Sequence, residues 1–102
     1  MSIELAWLAG IIDGEGAVGY FSNGIVAGKV PTIEIKMTCE KTICKCMEIA
    51  KCGNLRPPRL PAKNCVTPQY GWRVKHLPAK SLAASLLRYS VTKHDALAKI
   101  AR

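Results

Sequence analysis

Residues 3–16, IELAWLAGIIDGEG, constrain the fold more than any other stretch of the chain. Ser2 can cap a helix with Glu4 in its first turn, predicted to run from Ile3 to Asp13 and to end at Gly14 and Gly16. This helix is apolar almost all round. Ile3, Trp7 and Ile11 share one face, Leu5, Leu8 and Ile12 another, and Ala6, Gly10 and Gly14 form a small-residue line at spacing four. A helix apolar on every side is buried on every side. A chain of 102 residues has little mass with which to surround one. Part of the burial is therefore expected from a second copy of the chain, with the small-residue line letting two backbones approach. The alternative is a central core helix. Gly10 costs about 1 kcal/mol relative to Ala in a helix interior, which a close helix–helix contact would offset. Asp13 and Glu15 stand at the C-terminal end, where negative charge opposes the macrodipole by about 0.3–1 kcal/mol each. Carboxylates beside free helix-end carbonyls suit a hard divalent cation, and two solvated turn acids are the equally weighted alternative.

The remaining chain alternates strand pairs with helices. Residues 17–22 read as a strand and Asn23-Gly24 as a turn. Thr32 to Thr38 reads as a second strand, with Ile33, Ile35 and Met37 alternating with Thr32, Glu34, Lys36 and Thr38. Glu40 to Lys51 is predicted as a helix with a core stripe of Ile43, Cys46, Met47 and Ala50, stopped by Gly53-Asn54. A third strand begins at Leu55 and gives way to a Pro-rich loop, Pro57 to Pro61. A fourth spans Tyr70 to Lys75. Pro78 opens a helix carrying Leu82, Leu86 and Leu87. Thr92-Lys93-His94-Asp95 resembles a capping box before a last helix through Leu97 and Ile100. The order α-β-β-α-β-β-α-α implies one α+β domain over residues 1–102, a sheet with helices on one face. Its other face must meet water or a ligand.

Charge indicates what that ligand is. Residues 1–50 hold four Lys/Arg against six Asp/Glu, net −2, whereas residues 51–102 hold eleven against one, net +10. Such asymmetry favours a polyanionic partner for surfaces built from the second half. No run approaches the roughly 18 apolar residues of a membrane span. No basic stretch precedes the first apolar segment, which argues against a secretory signal peptide. Five cysteines, Cys39, Cys44, Cys46, Cys52 and Cys65, make an odd count without a CxxC, so a reducing, intracellular compartment is expected. Their spacing fits no common zinc module, and they read as small buried apolar residues.

Leu8-Ala9-Gly10-Ile11-Ile12-Asp13-Gly14-Glu15-Gly16 resembles the signature of the LAGLIDADG homing endonucleases, and the α-β-β-α-β-β-α order is similar over essentially the whole chain. The resemblance implies a single-motif, homodimeric, site-specific double-strand DNA endonuclease acting on near-palindromic targets of an intron or similar host. Signature helices would pack at the dimer axis through Ala6, Gly10 and Asp13, and an antiparallel sheet would form a DNA-binding saddle. It implies Mg²⁺, or Mn²⁺ or Ca²⁺ in its place, held by Glu15 with the Gly14 carbonyl as second ligand. Asp13 matches an earlier acid that is structural in the family. Lys93 resembles the basic catalytic residue before the final helix, and so joins Glu15 in a catalytic role. Where a polar residue normally helps position water, Thr38, Cys39 and Glu40 stand and no Gln is present. His76 and His94 read as phosphate contacts or surface residues. The alternative is a non-cleaving DNA- or RNA-binding relative, an intron maturase or a transcription regulator.

Strand alternation predicts the reading face. With Ile33, Ile35 and Met37 inward, Lys36 points outward, and Arg73 and Lys75 join it because Trp72 and Val74 take the opposite face. Arg56 and Arg59 border the same surface. Arg suits bidentate contact with guanine and Lys suits phosphate.

Overall fold

The computed structural model describes residues 2–22, 28–60 and 67–102. The elements are α1 (Ile3–Glu15), β1 (Gly16–Ser22), β2 (Lys29–Met37), α2 (Glu40–Ala50), β3 (Asn54–Arg59), β4 (Gln69–Lys75), α3 (His76–Leu86) and α4 (His94–Ala101). The fold is α+β, as the pattern of strand pairs and helices predicts. The Asn23-Gly24 turn, Pro61 and Cys65 lie outside the described residues.

The four strands form one antiparallel sheet in the order β1-β2-β4-β3. One face carries Ile33, Ile35, Trp72 and Val74, all 2% exposed or less, beneath the helices. Leu8, Ala9 and Ile12 of α1, Ile43 and Cys46 of α2, Ala79, Leu82, Ala83 and Leu86 of α3, and Leu97 and Ile100 of α4 complete the core. Removing these side chains from water is the main driving force for folding, at about 25 cal/mol per Å² of apolar surface.

Helix boundaries depart from expectation at several ends, each for a physical reason. α1 starts as predicted, with the Ser2 hydroxyl accepting from the Leu5 amide at 3.1 Å. It runs on through Gly14 to Glu15, so Gly14 does not end it. Gly16 does, in an extended conformation at φ −86°. A side chain there would meet the Ile12 carbonyl oxygen at 2.7 Å, so the need is for close approach. The C-cap of α2 is Lys51 in the left-handed region, ahead of the predicted stop at Gly53. α3 begins two residues before Pro78, which sits in the first turn, where its missing amide has no partner to lose. β3 takes in Pro57 and Pro58, predicted as loop. It is an edge strand with a register shift between Arg56 and Arg59, where proline is tolerated.

α4 lacks its predicted cap. Lys93, not Thr92, is the N-cap, and no side chain of the local turn caps the helix. The Asp13 carboxylate does that work from α1: it accepts from the Ser90 hydroxyl at 2.5 Å and from the amides of Val91 at 2.9 Å and Lys93 at 3.1 Å. A carboxylate close to a helix start is also favoured by the macrodipole.

Candidate functional site

Three surfaces meet the sequence-based expectations. The first is the C-terminal end of α1. Glu15, the last helical residue, is exposed and has no side-chain hydrogen bond or ion pair among the described residues. The Gly14 carbonyl belongs to the last turn, where helix carbonyls lack intrahelical donors. Asp13, two residues earlier, holds the Lys93 amide, so the turn carrying Lys93 is pinned to the end of α1 that carries Glu15. The other end of α1 is tied to the same connection, since the Ser2 amide donates to the Tyr89 hydroxyl at 2.8 Å.

Partial burial alone would push the Asp13 carboxyl up. The Ser90 hydroxyl and the amides of Val91, Lys93 and Thr92 outweigh it and hold the group below the ordinary carboxylate value. Hydrogen bonds to charged groups contribute about 1.5–3 kcal/mol, less where solvent screens them. Asp13→Asn is therefore expected to destabilise the fold by about 1–3 kcal/mol near neutral pH. Because the folded pKa is lowered, the stabilisation is complete above the ordinary Asp value of about 3.9. It is lost as pH falls through the lowered native value. Melting curves of wild type and Asp13→Asn should converge on acidification, and a gap independent of pH would exclude the carboxylate's charge as its source.

The second surface is the open face of the sheet. Cross-strand register sets Lys75 opposite Thr32, Arg73 opposite Glu34, and Gly71 opposite both Lys36 and Arg56. Gly71 makes room for the Arg56 stem, since a Cβ there would lie 3.1 Å from Arg56 Cγ. Lys36, Arg56, Arg59 and Arg73 line one groove with Tyr70, and Arg56, Arg73 and Lys75 line a second beside it. All five predicted cations thus border the same surface. Two details were not predicted. Thr32, on this face, is 3% exposed, with its hydroxyl donating to the Val30 carbonyl at 3.0 Å. Glu34 binds Arg73, with Nε to Oε2 at 2.6 Å and Nη2 on the same oxygen, and its other oxygen lies 3.7 Å from Lys36 Nζ.

The third surface is the outer side of α1. Only Leu8, Ala9 and Ile12 of this helix are buried. Ile3 is 84% and Trp7 38% exposed, Ala6, Gly10 and Gly14 are exposed, and among the described residues a Cβ added at Gly10 meets no other element within 4 Å. Within one chain α1 is half covered, not a central core helix.

No protein-family profile and no curated protein matches the chain. Solved structures do. The homing endonuclease I-CvuI, in complex with its target in the presence of calcium, superimposes with a TM-score of 0.75 at 17% identity, over 94% of this chain and 62% of that one. The archaeal intron-encoded homing endonuclease I-Vdi141I, complexed with DNA, gives 0.69 at 13% identity over 95% and 64%. The group I intron-encoded I-CeuI, complexed with DNA, gives 0.61 at 15% identity over 99% and 53%. This chain has the LAGLIDADG homing endonuclease fold. It spans about three fifths of the length of the first two of these neighbours.

Within the LAGLIDADG fold the remaining candidates fall outside the three surfaces or at their edges. His94 is exposed, with Nδ1 3.0 Å from the Leu87 carbonyl, and His76 is exposed at φ 63°. The stretch after β2 places Cys39 at the N-cap of α2, where its thiol accepts from the Thr42 hydroxyl at 3.1 Å. That hydrogen bond is the main reason its pKa is lowered. The expectation of uniformly buried cysteines fails: Cys46 is buried, which pushes its thiol up to about 11, and Cys52 is half-buried, but Cys39 and Cys44 are exposed. Among the described residues no three His, Cys, Asp or Glu side chains cluster to hold a metal, and no helix is long and apolar enough to cross a membrane.

Proposed function

We propose that the chain is a divalent-metal-dependent, site-specific double-strand DNA endonuclease that acts as a homodimer. The observation that carries this reading is the end of α1. There Glu15, without a side-chain partner among the described residues, and the helix-end carbonyls lie on the same helix terminus as Asp13, which holds the backbone of the turn carrying Lys93. A carboxylate at the C-terminal end of a helix opposes the macrodipole by about 0.3–1 kcal/mol, a cost that a bound cation would remove. Glu15 and the Gly14 carbonyl are hard oxygen donors of the kind Mg²⁺ or Ca²⁺ prefers. Since no three His, Cys, Asp or Glu side chains cluster among the described residues, the donor set fits an ion completed by water and a phosphate. Bound there, Mg²⁺ would supply Lewis acidity to a phosphodiester. Of the chain's own groups, Glu15 would orient the site and Lys93 would offset charge developing on the phosphate. Lys36, Arg56, Arg59, Arg73 and Lys75 would bind the duplex across the open face, phosphate contacts giving affinity and base contacts specificity.

The homodimer reading rests on the uncovered half of α1. Ala6 and Gly10 would let two such helices approach, Ile3 and Trp7 would gain burial, and Asp13 would border the contact with its carboxylate satisfied in its own chain. Among the described residues no other element comes within 4 Å of a Cβ added at Gly10, so the substitution Gly10→Leu separates interface from core. The monomer should fold at least as well, gaining up to about 1 kcal/mol of helix propensity, while self-association weakens at least tenfold through overpacking. Sedimentation of both proteins with target duplex checks this, and two chains per duplex for Gly10→Leu at wild-type affinity would contradict it.

The function is tested by plasmid cleavage with Mg²⁺ against EDTA, on a library of near-palindromic sites. Linear product only with the metal is expected. A non-cleaving DNA-binding relative is the second reading, favoured by the occupancy of the water-positioning stretch by Thr38, Cys39 and Glu40. Sequence-selective binding without cleavage under either condition would establish it.

A further inference from the structure

We infer that Glu34 is a specificity-determining positioning residue: it holds Arg73 so that the guanidinium reads one base pair instead of neutralising the nearest phosphate. The inference rests on the DNA-binding reading above. Glu34 is the one acid on a face that carries Lys36, Arg56, Arg59, Arg73 and Lys75 among the described residues. On a surface selected for phosphate affinity alone, a carboxylate at its centre would repel the ligand. Both partners are substantially covered, with side chains 15% exposed for Glu34 and 25% for Arg73, so the pair is a fixed feature of the face.

The geometry says what the pair leaves free. Nε and Nη2 of Arg73 converge on one oxygen of Glu34. A guanidinium has five N–H donors in one plane. With Nε–H donating and Nη2 in ion-pair contact with the same oxygen, the Nη1/Nη2 edge of the guanidinium still presents its parallel pair of donors away from the carboxylate. That edge matches the O6 and N7 acceptors of guanine in the major groove. A guanidinium locked at its Nε side cannot rotate to follow a phosphate, so it retains base readout and loses much of its sequence-independent attraction. Lys36, on the other Glu34 oxygen at 3.7 Å, is held less tightly and remains suited to phosphate contact.

The test is selection of bound duplexes from a randomised library by the full chain. It is followed by affinity measurements on the selected site and on an unrelated duplex across salt concentrations, for wild type, Arg73→Ala, Glu34→Ala and Glu34→Gln. Wild type should prefer guanine at one position per half-site by about tenfold or more. Both Arg73→Ala and Glu34→Ala should reduce that preference to less than about threefold. The two differ on the unrelated duplex. Arg73→Ala should bind it the same or more weakly. Glu34→Ala should bind it about three- to tenfold more tightly, with a salt slope steeper by about 0.9 because the released guanidinium meets a phosphate. Glu34→Gln, which keeps one acceptor oxygen for Arg73 and disturbs folding least, should retain most of the guanine preference. A purely structural Glu34 would change melting temperature and leave the base profile untouched, and that outcome overturns the inference while the DNA-binding reading stands. Guanine preference surviving Arg73→Ala overturns it equally. Absence of duplex binding by the wild type overturns both.

Discussion

Glu15→Gln is expected to abolish metal-dependent cleavage while leaving duplex affinity within about threefold of wild type. Glutamine keeps the length of the side chain and its place at the end of α1, so packing is undisturbed: Glu15 is exposed and no described side chain depends on it. What changes is a full negative charge. A carboxylate is a strong ligand for a hard cation and an amide oxygen a poor one. Metal-derived charge stabilisation in the transition state amounts to several kcal/mol. At about 1.4 kcal/mol per factor of ten, its loss corresponds to a rate decrease of about 10³-fold. Affinity should follow a different set of residues, because phosphate neutralisation by Lys and Arg dominates it. The measurement is paired: plasmid cleavage in Mg²⁺, and duplex binding in EDTA. Cleavage by Glu15→Gln at the wild-type rate would overturn the proposal that Glu15 holds a metal. A parallel collapse of binding would mean instead that Glu15 holds the surface together.

The periodic parts of the fold were legible in the chain. Alternation at Ile33, Ile35, Trp72 and Val74 identified the buried face of the sheet, because a period of two leaves no freedom over which side chain points inward. The all-round apolarity of residues 3–12 indicated a helix that one chain cannot cover, and α1 does leave Ile3 and Trp7 exposed. Relations between distant residues were not legible. Asp13 caps a turn 77 to 80 residues away, and no local pattern announces it. The capping-box pattern at Thr92 is a local signal, and a carboxylate from another element takes its place. Glu34 was readable as an outward residue, but its pairing with Arg73 depends on the strand order β1-β2-β4-β3, which alternation does not encode. Pro57 and Pro58 signalled loop because edge position, which makes proline tolerable, is a property of the assembled sheet. The exposed Cys39 and Cys44 show the limit of residue type as a guide to burial.

Gly53→Ala is expected to lower the melting temperature by about 12–24 °C, since about 3 kcal/mol at 4–8 °C per kcal/mol amounts to that in a domain of this size. Two independent penalties act at this position. Its φ of +91° lies where L side chains are rare, a strain of about 1–3 kcal/mol. In addition, a Cβ would sit 2.6 Å from Trp72 Nε1 and 2.8 Å from the Arg73 carbonyl oxygen. Neither neighbour can yield cheaply. Trp72 is fully buried and its indole N–H donates to the Cys52 carbonyl at 2.9 Å, while the Arg73 carbonyl is sheet backbone. Overpacking of this kind costs about 1–3 kcal/mol, and orphaning the indole N–H adds about 1–3 more. Gly28 provides the control, having φ +93° but, among the described residues, nothing within 4 Å of an added Cβ. Gly28→Ala should incur the conformational penalty alone, and the difference between the two melting temperatures isolates the clash with Trp72. Function should follow stability at Gly53 in a specific way. Gly53 leads directly into β3, whose Asn54 pairs with Arg73 and whose Arg56 lies over Gly71. Any displacement that relieves the clash shifts β3 away from β4 and separates Arg56 from Arg73 and Lys36. Below its melting temperature, Gly53→Ala should therefore lose duplex affinity more steeply than Gly28→Ala, and equal melting temperatures for the two variants would refute the close packing of Gly53 against Trp72.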